Sequence, residues 1–390
     1  MKLTSKLPQV GTTIFTVMSQ LAVDHGAVNL GQGFPDFDPD PELIRLVHQA
    51  MLDGHNQYPS MMGVPSLRQA IVEKIEALYG HRYDPATEIT VTSGATEALM
   101  ISIQALVHPG DEVIVIEPVY DLYLPAIELA GGKPVVVPML APDRDHPRYR
   151  VDWQRVSDAI NDKTRLLILN FPHNPTGIVL SENELDFLED LVERTGVMIL
   201  SDEVYEHIVF DGRRHESLAR REKLAAHAVV VSSFGKTYHT TGWKLGYCAA
   251  PAAITREIQK VHQFTVFTVS SPMQHGLAQF MRNPETYLNL ASFYQARRDY
   301  LFDGLAAQTR FKPLSSEGTF FLLADYRDIS DEAELAFARR LTTEHGVTAI
   351  PMAAFYAQPN APESNHCLIR LCFAKQNATL DRALERFALV

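Results

Sequence analysis

The sequence predicts an α/β fold: a large unit built on a mostly parallel seven-stranded sheet flanked by helices, and a smaller α+β unit. Three observations carry that prediction. From about residue 88, seven short apolar runs end in turn residues: EITVTSG, DEVIVIEP, KPVVVPM, TRLLILNFP, VMILSDEV, AVVVSSFG and KLGYCAAP. Helix-period stretches such as 97–106 and 182–195 separate several of them, the pattern of strands covered on both faces. Beyond a long helical stretch at 284–307 the pattern changes: FKPLSSEGTFFLLADY, GVTAIPMAAF and HCLIRLCFAK read as strands with helices around them.

Residues 1–45 are expected to form an N-terminal arm and part of the small unit, 46–285 the large unit, and 286–390 the small C-terminal unit. In the arm, NLGQGFPDFDPDPE breaks regular structure with glycine and proline. It is either a simple loop or a backbone placed against a ligand, for which Gly33 lacks a side chain. Amphipathic helices follow at 41–52 and 64–79, with NQYPSMMG and its Tyr58 on the turn between them. In the alternating region, KLGYCAAP follows AVVVSSFG too closely for a crossover helix and is expected to run antiparallel.

At 390 residues the chain exceeds one compact core, and two domains are the natural expectation. A net charge of −12 without clustered basic residues argues against a nucleic-acid surface. The three cysteines, Cys248, Cys367 and Cys372, show no CxxC spacing, so neither a disulfide framework nor a zinc site is expected. MKLTSKLPQV has no apolar signal-type core and no run reaches transmembrane length, so a soluble cytoplasmic protein is expected.

Chemistry-bearing residues gather at the strand ends. After AVVV comes SSFGKTYHTTGWKLG, which places Lys236 at the strand end with Ser233 before it and Lys244 after it. A lysine there is a solvated surface group unless it is desolvated or given a carbonyl to attack; a second cation nearby lowers the pKa of such an amine. After EITV, Thr92-Ser93-Gly94-Ala95-Thr96-Glu97 opens a helix. It is either an ordinary N-cap using Ser93 or Thr96, or a phosphate seat of free N–H groups. In His173-Asn174-Pro175-Thr176-Gly177, Asn174 offers an amide beside a rigid turn, or the segment is a plain turn. Asp202 closes an apolar strand ahead of Tyr205. It is a cap, a salt bridge, or the partner of a protonated ligand nitrogen. Arg370, inside LIRLCF, is a structural ion pair or a fork for a substrate carboxylate. An amine, a buried acid, an amide, a phenol, an anion seat and a buried arginine together describe pyridoxal 5′-phosphate better than any other cofactor.

At this point the chain resembles the fold-type I, class I/II aminotransferases over essentially its whole length. NLGQGFPDF, NQYPSMMGVPSLR, TSGATEAL, NFPHNPTG, SDEVYEH, SSFGKTYHTTGWKLGY and IRLCFAK appear in that family's order. QVGTTIF, SSFGKTYH and IRLCFAK are similar to the bacterial methionine aminotransferases and their kynurenine aminotransferase-like relatives. The resemblance implies the fold of a pyridoxal phosphate-dependent transferase, with Lys236 as the Schiff-base lysine and proton shuttle. It implies Asp202 on the pyridinium nitrogen, and Tyr205 and Asn174 on the ring oxygen. Gly94, Ala95, Thr96 and Ser233 would hold the phosphate with Lys244 as its cation, and Tyr120 would stack on the ring. Lysine at 244, where many members carry arginine, keeps the charge but loses the bidentate fork.

Tyr58 resembles the tyrosine that reaches a neighbouring subunit's phosphate, which implies a homodimer with shared active sites. Gly33, Arg370 and Asn174 would receive the substrate carboxylate, with Phe15 near the side-chain pocket. The implied reaction is ping-pong transfer of the amino group of methionine, and of aromatic or other apolar amino acids, to a 2-oxo acid. Kynurenine or glutamine transamination and β-elimination from cysteine S-conjugates are the alternatives on the same cofactor. A ligand-sensing regulator would need an added DNA-binding region, and a dinucleotide-dependent dehydrogenase a GxGxxG after the first sheet strand; neither is present.

Overall fold

A computed structural model describes residues 3–143 and 145–390. The strands in chain order are β1 (Val28–Asn29), β2 (Ile89–Thr92), β3 (Glu112–Glu117), β4 (Lys133–Pro138), β5 (Thr164–Asn170), β6 (Met198–Asp202), β7 (Ala228–Ser233), β8 (Gly246–Ala249), β9 (Lys312–Pro313), β10 (Phe321–Asp325), β11 (Val347–Thr348), β12 (Ile350–Pro351) and β13 (Leu368–Cys372). The seven apolar runs become the seven strands β2 to β8, in spatial order β2-β8-β7-β6-β5-β3-β4. Pairing from β4 through β7 is parallel, and β8 lies antiparallel to both β2 and β7.

The reason lies in the residues. Strand β7 is buried along its whole length, and its β-branched side chains pack in two separate cores, Val230 on one face of the sheet and Val229 and Val231 on the other. Each such side chain contributes ~1.5–3 kcal/mol on leaving water. Helix Glu182–Thr195 covers one face through Leu185, Leu188, Leu191 and Val192. Helix Gly94–Leu106 covers the other through Ala98, Leu99, Ile101 and Ile103. That second helix starts at Gly94, earlier than the apolar periodicity begins.

Register fixes where the site forms. Asn170 is level with Asp202, Asp202 with Val231, and both Ser233 and Thr92 with Gly246. The polar residues that end β2, β5, β6 and β7 therefore stand side by side along one edge of the sheet.

A four-stranded antiparallel sheet, β12-β13-β10-β9, carries Arg370 on β13, paired with Leu323 and Ile350. β1 pairs in parallel with β11, and the Cys372 N–H donates to the Leu30 carbonyl at 2.7 Å, so the glycine-rich arm lies against this second sheet. GVTAIPMAAF is less strand than expected: two two-residue strands and then a 3₁₀ turn, Met352–Phe355. Pro351 has no N–H to extend the ladder. The helical stretch at 284–307 is two helices, Glu285–Leu288 and Leu290–Gln308. Among the described residues no helix is long and apolar enough to cross a membrane.

Candidate active site

The residues singled out in the sequence line one cavity at the carboxyl ends of the central strands: Lys236, Gly94, Ala95, Thr96, Tyr120, Asn174, Asp202, Tyr205, Ser233, Lys244, Gly33, Arg370 and Phe15. Tyr58 stands apart. It is 84% exposed, edge-on to Phe267 with ring centroids 5.5 Å apart.

One wall is the amino end of helix Gly94–Leu106. Gly94 adopts φ +71, which an L side chain resists. A Cβ on Gly246 would stand 2.7 Å from the Ser232 carbonyl and 2.8 Å from the Ala95 nitrogen, so β8 reaches this turn only as glycine. The ordinary N-cap does not form: no side chain caps the helix at Ser93. Instead Glu97 accepts the Ser93 N–H, its other oxygen lying 2.6 Å from His262 Nδ1. The Thr96 hydroxyl accepts from Lys244 Nζ at 3.2 Å. The first N–H groups of a 13-residue helix, the Ser233 hydroxyl and the Lys244 cation thus converge as an anion seat.

Lys236 follows β7 in the short helix Phe234–Thr237. Its Nζ donates to the Gly33 carbonyl at 3.2 Å, and stands 5.6 Å from the Tyr205 ring centroid and 5.3 Å from that of Phe320. Enclosure by these walls brings its pKa down to about 8. Arg370 and Lys244 push the same way, and Cys372 and Asp202 oppose. The neighbouring lysine contributes as expected, but burial outweighs it.

Asp202 is 3% exposed and holds two donors: the Tyr123 hydroxyl at 2.7 Å and the Val204 N–H at 3.3 Å. Burial drives its pKa up to about 6, against the pull of these donors and of Lys236. Tyr123 was not singled out in the sequence, although EPVYDLY places it one helical turn beyond Tyr120. The two rings meet edge-on at 5.6 Å. Asn170 was missed as well. Its amide donates to the Asp202 carbonyl at 3.2 Å and its oxygen accepts the Asn174 N–H at 3.0 Å, locking the two strand ends together. Tyr205 is buried edge-on to Phe320, and burial holds its hydroxyl well above the usual range and therefore neutral.

Arg370 is 1% exposed and bonds to neutral acceptors rather than a carboxylate: Nη1 to Asn174 Oδ1 at 2.6 Å and Nη2 to the Gly31 carbonyl at 3.1 Å. Its guanidinium lies 3.7 Å from the Phe321 ring centroid, 4.9 Å from Phe355 and 5.2 Å from Phe15. Among the described residues its Nε has no hydrogen-bond partner. Burial lowers its pKa to about 10, which leaves it charged at neutral pH. Such a cation, desolvated and bonded only to neutral acceptors, has the chemistry to receive a carboxylate. Phe321 also explains Gly33: a Cβ there would come 2.7 Å from Phe321 Cζ.

These residues fit pyridoxal 5′-phosphate. The anion seat would take its phosphate, the amine of Lys236 its aldehyde, and the buried Asp202 carboxyl a cationic ring nitrogen.

Residues 25–387 match the family model described as aminotransferase class I and II. Methionine aminotransferase of Escherichia coli K12 is 49% identical over 383 residues, covering 98% of this chain and 97% of that one. The probable N-succinyldiaminopimelate aminotransferase DapC of Mycobacterium tuberculosis is 38% identical over 393 residues, covering 99% and 98%. Among solved structures, Escherichia coli YbdL, described as having a methionine aminotransferase function, superposes with a TM-score of 0.95 at 48% identity and covers all of both chains.

Proposed function

Starting from the premise that this chain belongs to the class I and II aminotransferases, we propose that it moves the amino group of methionine, and of other apolar or aromatic amino acids, to a 2-oxo acid by a ping-pong route. The observation that carries the choice of donor is the cavity itself. Among the described residues that line it, Arg370 is the only arginine, and Phe15, Leu99, Val204 and Phe321 supply apolar wall. One fork takes the α-carboxylate, and an uncharged side chain meets carbon. The near-identical length and 49% identity to the Escherichia coli methionine enzyme support the same choice.

Pyridoxal phosphate, the cofactor of this family, supplies when bound an aldehyde for the amine and a protonated ring that delocalises the electron pair left at Cα. Asp202 would hold the ring-nitrogen proton, with Tyr123 and Val204 keeping its carboxylate oriented. Tyr205 and Asn174 would serve the ring oxygen and Tyr120 would stack on the ring. Gly94, Ala95, Thr96, Ser233 and Lys244 would hold the phosphate. Arg370 and Gly33 orient the substrate carboxylate, so that Lys236 Nζ takes the Cα proton. An amine with pKa about 8 is free base for roughly one molecule in ten at pH 7, enough for a general base that must also return the proton.

The proposal extends to assembly, domains and compartment. A second copy covers both Tyr58 and Phe264, 84% and 86% exposed, and Tyr58 completes the partner's phosphate seat in a homodimer. Residues 46–285 form the large domain, 286–390 the small one, and 1–45 the arm shared with it. Three free cysteines suit reducing cytoplasm.

Holoenzyme incubated with methionine and a panel of 2-oxo acids tests the reading. Appearance of 4-methylthio-2-oxobutanoate that depends on acceptor supports it. Turnover of kynurenine, glutamine or a succinylated diamino acid in preference to methionine refutes the donor assignment. Release of pyruvate and thiol from a thioether without acceptor makes the protein a lyase instead.

A further inference from the structure

The helix Glu334–His345 begins with a carboxylate buried to 1% exposure. A buried carboxylate ordinarily finds a cation; Glu334 has backbone instead. One oxygen accepts the N–H groups of His366 at 2.9 Å and Leu368 at 3.0 Å, and the other accepts that of Ala353, with the Met352 N–H also bonded to the carboxylate. These four donors come from two segments, and both serve Arg370. Leu368 opens β13, two residues before Arg370. Met352 and Ala353 begin the turn that delivers Phe355 onto the guanidinium, 4.9 Å from its centroid, and Phe15 packs edge-on to Phe355 at 5.8 Å.

We propose that Glu334 is a positioning residue for substrate recognition: by gathering the turn at Phe355 and the start of β13 onto one carboxylate, it sets the affinity of Arg370 for the substrate's α-carboxylate. This rests on the reading of Arg370 given above.

The geometry makes the link dependent on charge. An ionised carboxylate accepts at both oxygens, whereas a protonated one turns an oxygen into a donor facing N–H groups. Burial raises the Glu334 pKa to about 7 even against its four donors, so the change falls near neutrality. Tyr149, Tyr326, Tyr356 and Cys367 face it and stay neutral there, because burial raises each. His366 is pushed below its usual value by burial and by Arg327. The other charges nearby are the half-buried Glu117 carboxyl beyond Tyr356, which burial also raises, and Asp325, Asp331 and Glu332, which act on Tyr326 and Cys367.

The test uses holoenzyme and 3-phenylpropanoate, an apolar monocarboxylate that has no amine to react. Its Kd is measured between about pH 5.5 and about pH 8.5, spanning the Glu334 value near 7. In the wild-type protein Kd should rise as pH falls through that value. In Glu334→Gln it should be about tenfold weaker at pH 8 and lose that limb, with cofactor affinity and kcat at saturating methionine within about twofold of wild type. A residue that merely stabilised the fold would not move the limb. Wild-type affinity in Glu334→Gln, or a limb that survives the substitution, overturns the proposal. If the variant does not fold, the wild-type profile decides: a flat one overturns it. Arg370→Gln separates the two ideas. If it binds the probe as well as wild type, the Arg370 reading fails; if it binds weakly while Glu334→Gln binds normally, only the present proposal fails.

Discussion

Tyr123→Phe removes one hydroxyl from beneath Asp202 and leaves the ring in place. The lost bond is a buried O–H to carboxylate contact of 2.7 Å. Hydrogen bonds to charged groups contribute ~1.5–3 kcal/mol, and each ~1.4 kcal/mol is one pKa unit. The Asp202 pKa, already about 6, should therefore move to ~7–8 in the variant. The sign follows from the direction of the shift. A carboxyl raised above its ordinary value favours the folded protein in its neutral form, so in the empty protein this group's contribution to stability is fully present at acid pH. It declines as pH rises through about 6, and in the variant through ~7–8. A cationic ring nitrogen needs the ionised form. At pH 6 the wild-type group is half ionised and the variant's ~1–10%, so the Kd for pyridoxal phosphate should rise roughly five- to fiftyfold. At pH 9 both are ionised, and the ratio should shrink to about twofold or less. Equilibrium titration of apoprotein with cofactor, followed by fluorescence quenching across that range, measures the ratio directly. A ratio near one at pH 6, or one that does not change with pH, would refute the role given to this hydroxyl.

Lys236→Ala should bind cofactor without a covalent bond and lose turnover; borohydride reduction followed by peptide mass analysis reads the first and the methionine assay the second. Arg370→Ala should lower kcat/KM for every amino donor by a similar factor, about 100-fold or more for a desolvated charge pair, and mostly through KM. An effect confined to one donor would make Arg370 a reader of side chains. Gly246→Ala forces a Cβ to within 2.7 Å of backbone, and should cost about 2 kcal/mol or more of stability, visible as a lower Tm and weaker cofactor binding.

Much of this was legible in the sequence because fully buried parallel strands write themselves as unbroken apolar runs. Ala228 to Val231 reads as strand from four letters, and the polar residue that ends each run falls at the sheet edge by register. Pairings between distant residues were not legible. Tyr123 meets Asp202 across 79 positions, and Arg370 meets Asn174 across 196. Asp202 read as a cap, a salt bridge or a ligand partner; one of its donors is the Val204 N–H, because an Asp side chain readily folds back onto its own backbone. Gly33 read as part of either a simple loop or a backbone placed against a ligand. The structure gives a steric cause, the Phe321 ring, which no local pattern encodes. No local pattern marks Glu334, because its burial depends on two segments that arrive later in the chain.

Because β8 turns back antiparallel beside β7, residues 234–245 run out from Ser233 and return at Gly246, level with their starting point. Both lysines hang from this one loop, Lys236 on the outbound leg and Lys244 on the return in a left-handed conformation of φ 54. Each leg works as a ruler: Lys236 stands three residues beyond Ser233 and Lys244 two residues before Gly246, so the pairing of the two strand ends sets the spacing of the two ammonium groups. Side-chain exchange at its outer positions, such as Gly242, whose added Cβ would touch nothing, should be tolerated. Insertion or deletion of one residue within either leg would put that leg's ammonium group out of step with the sheet edge.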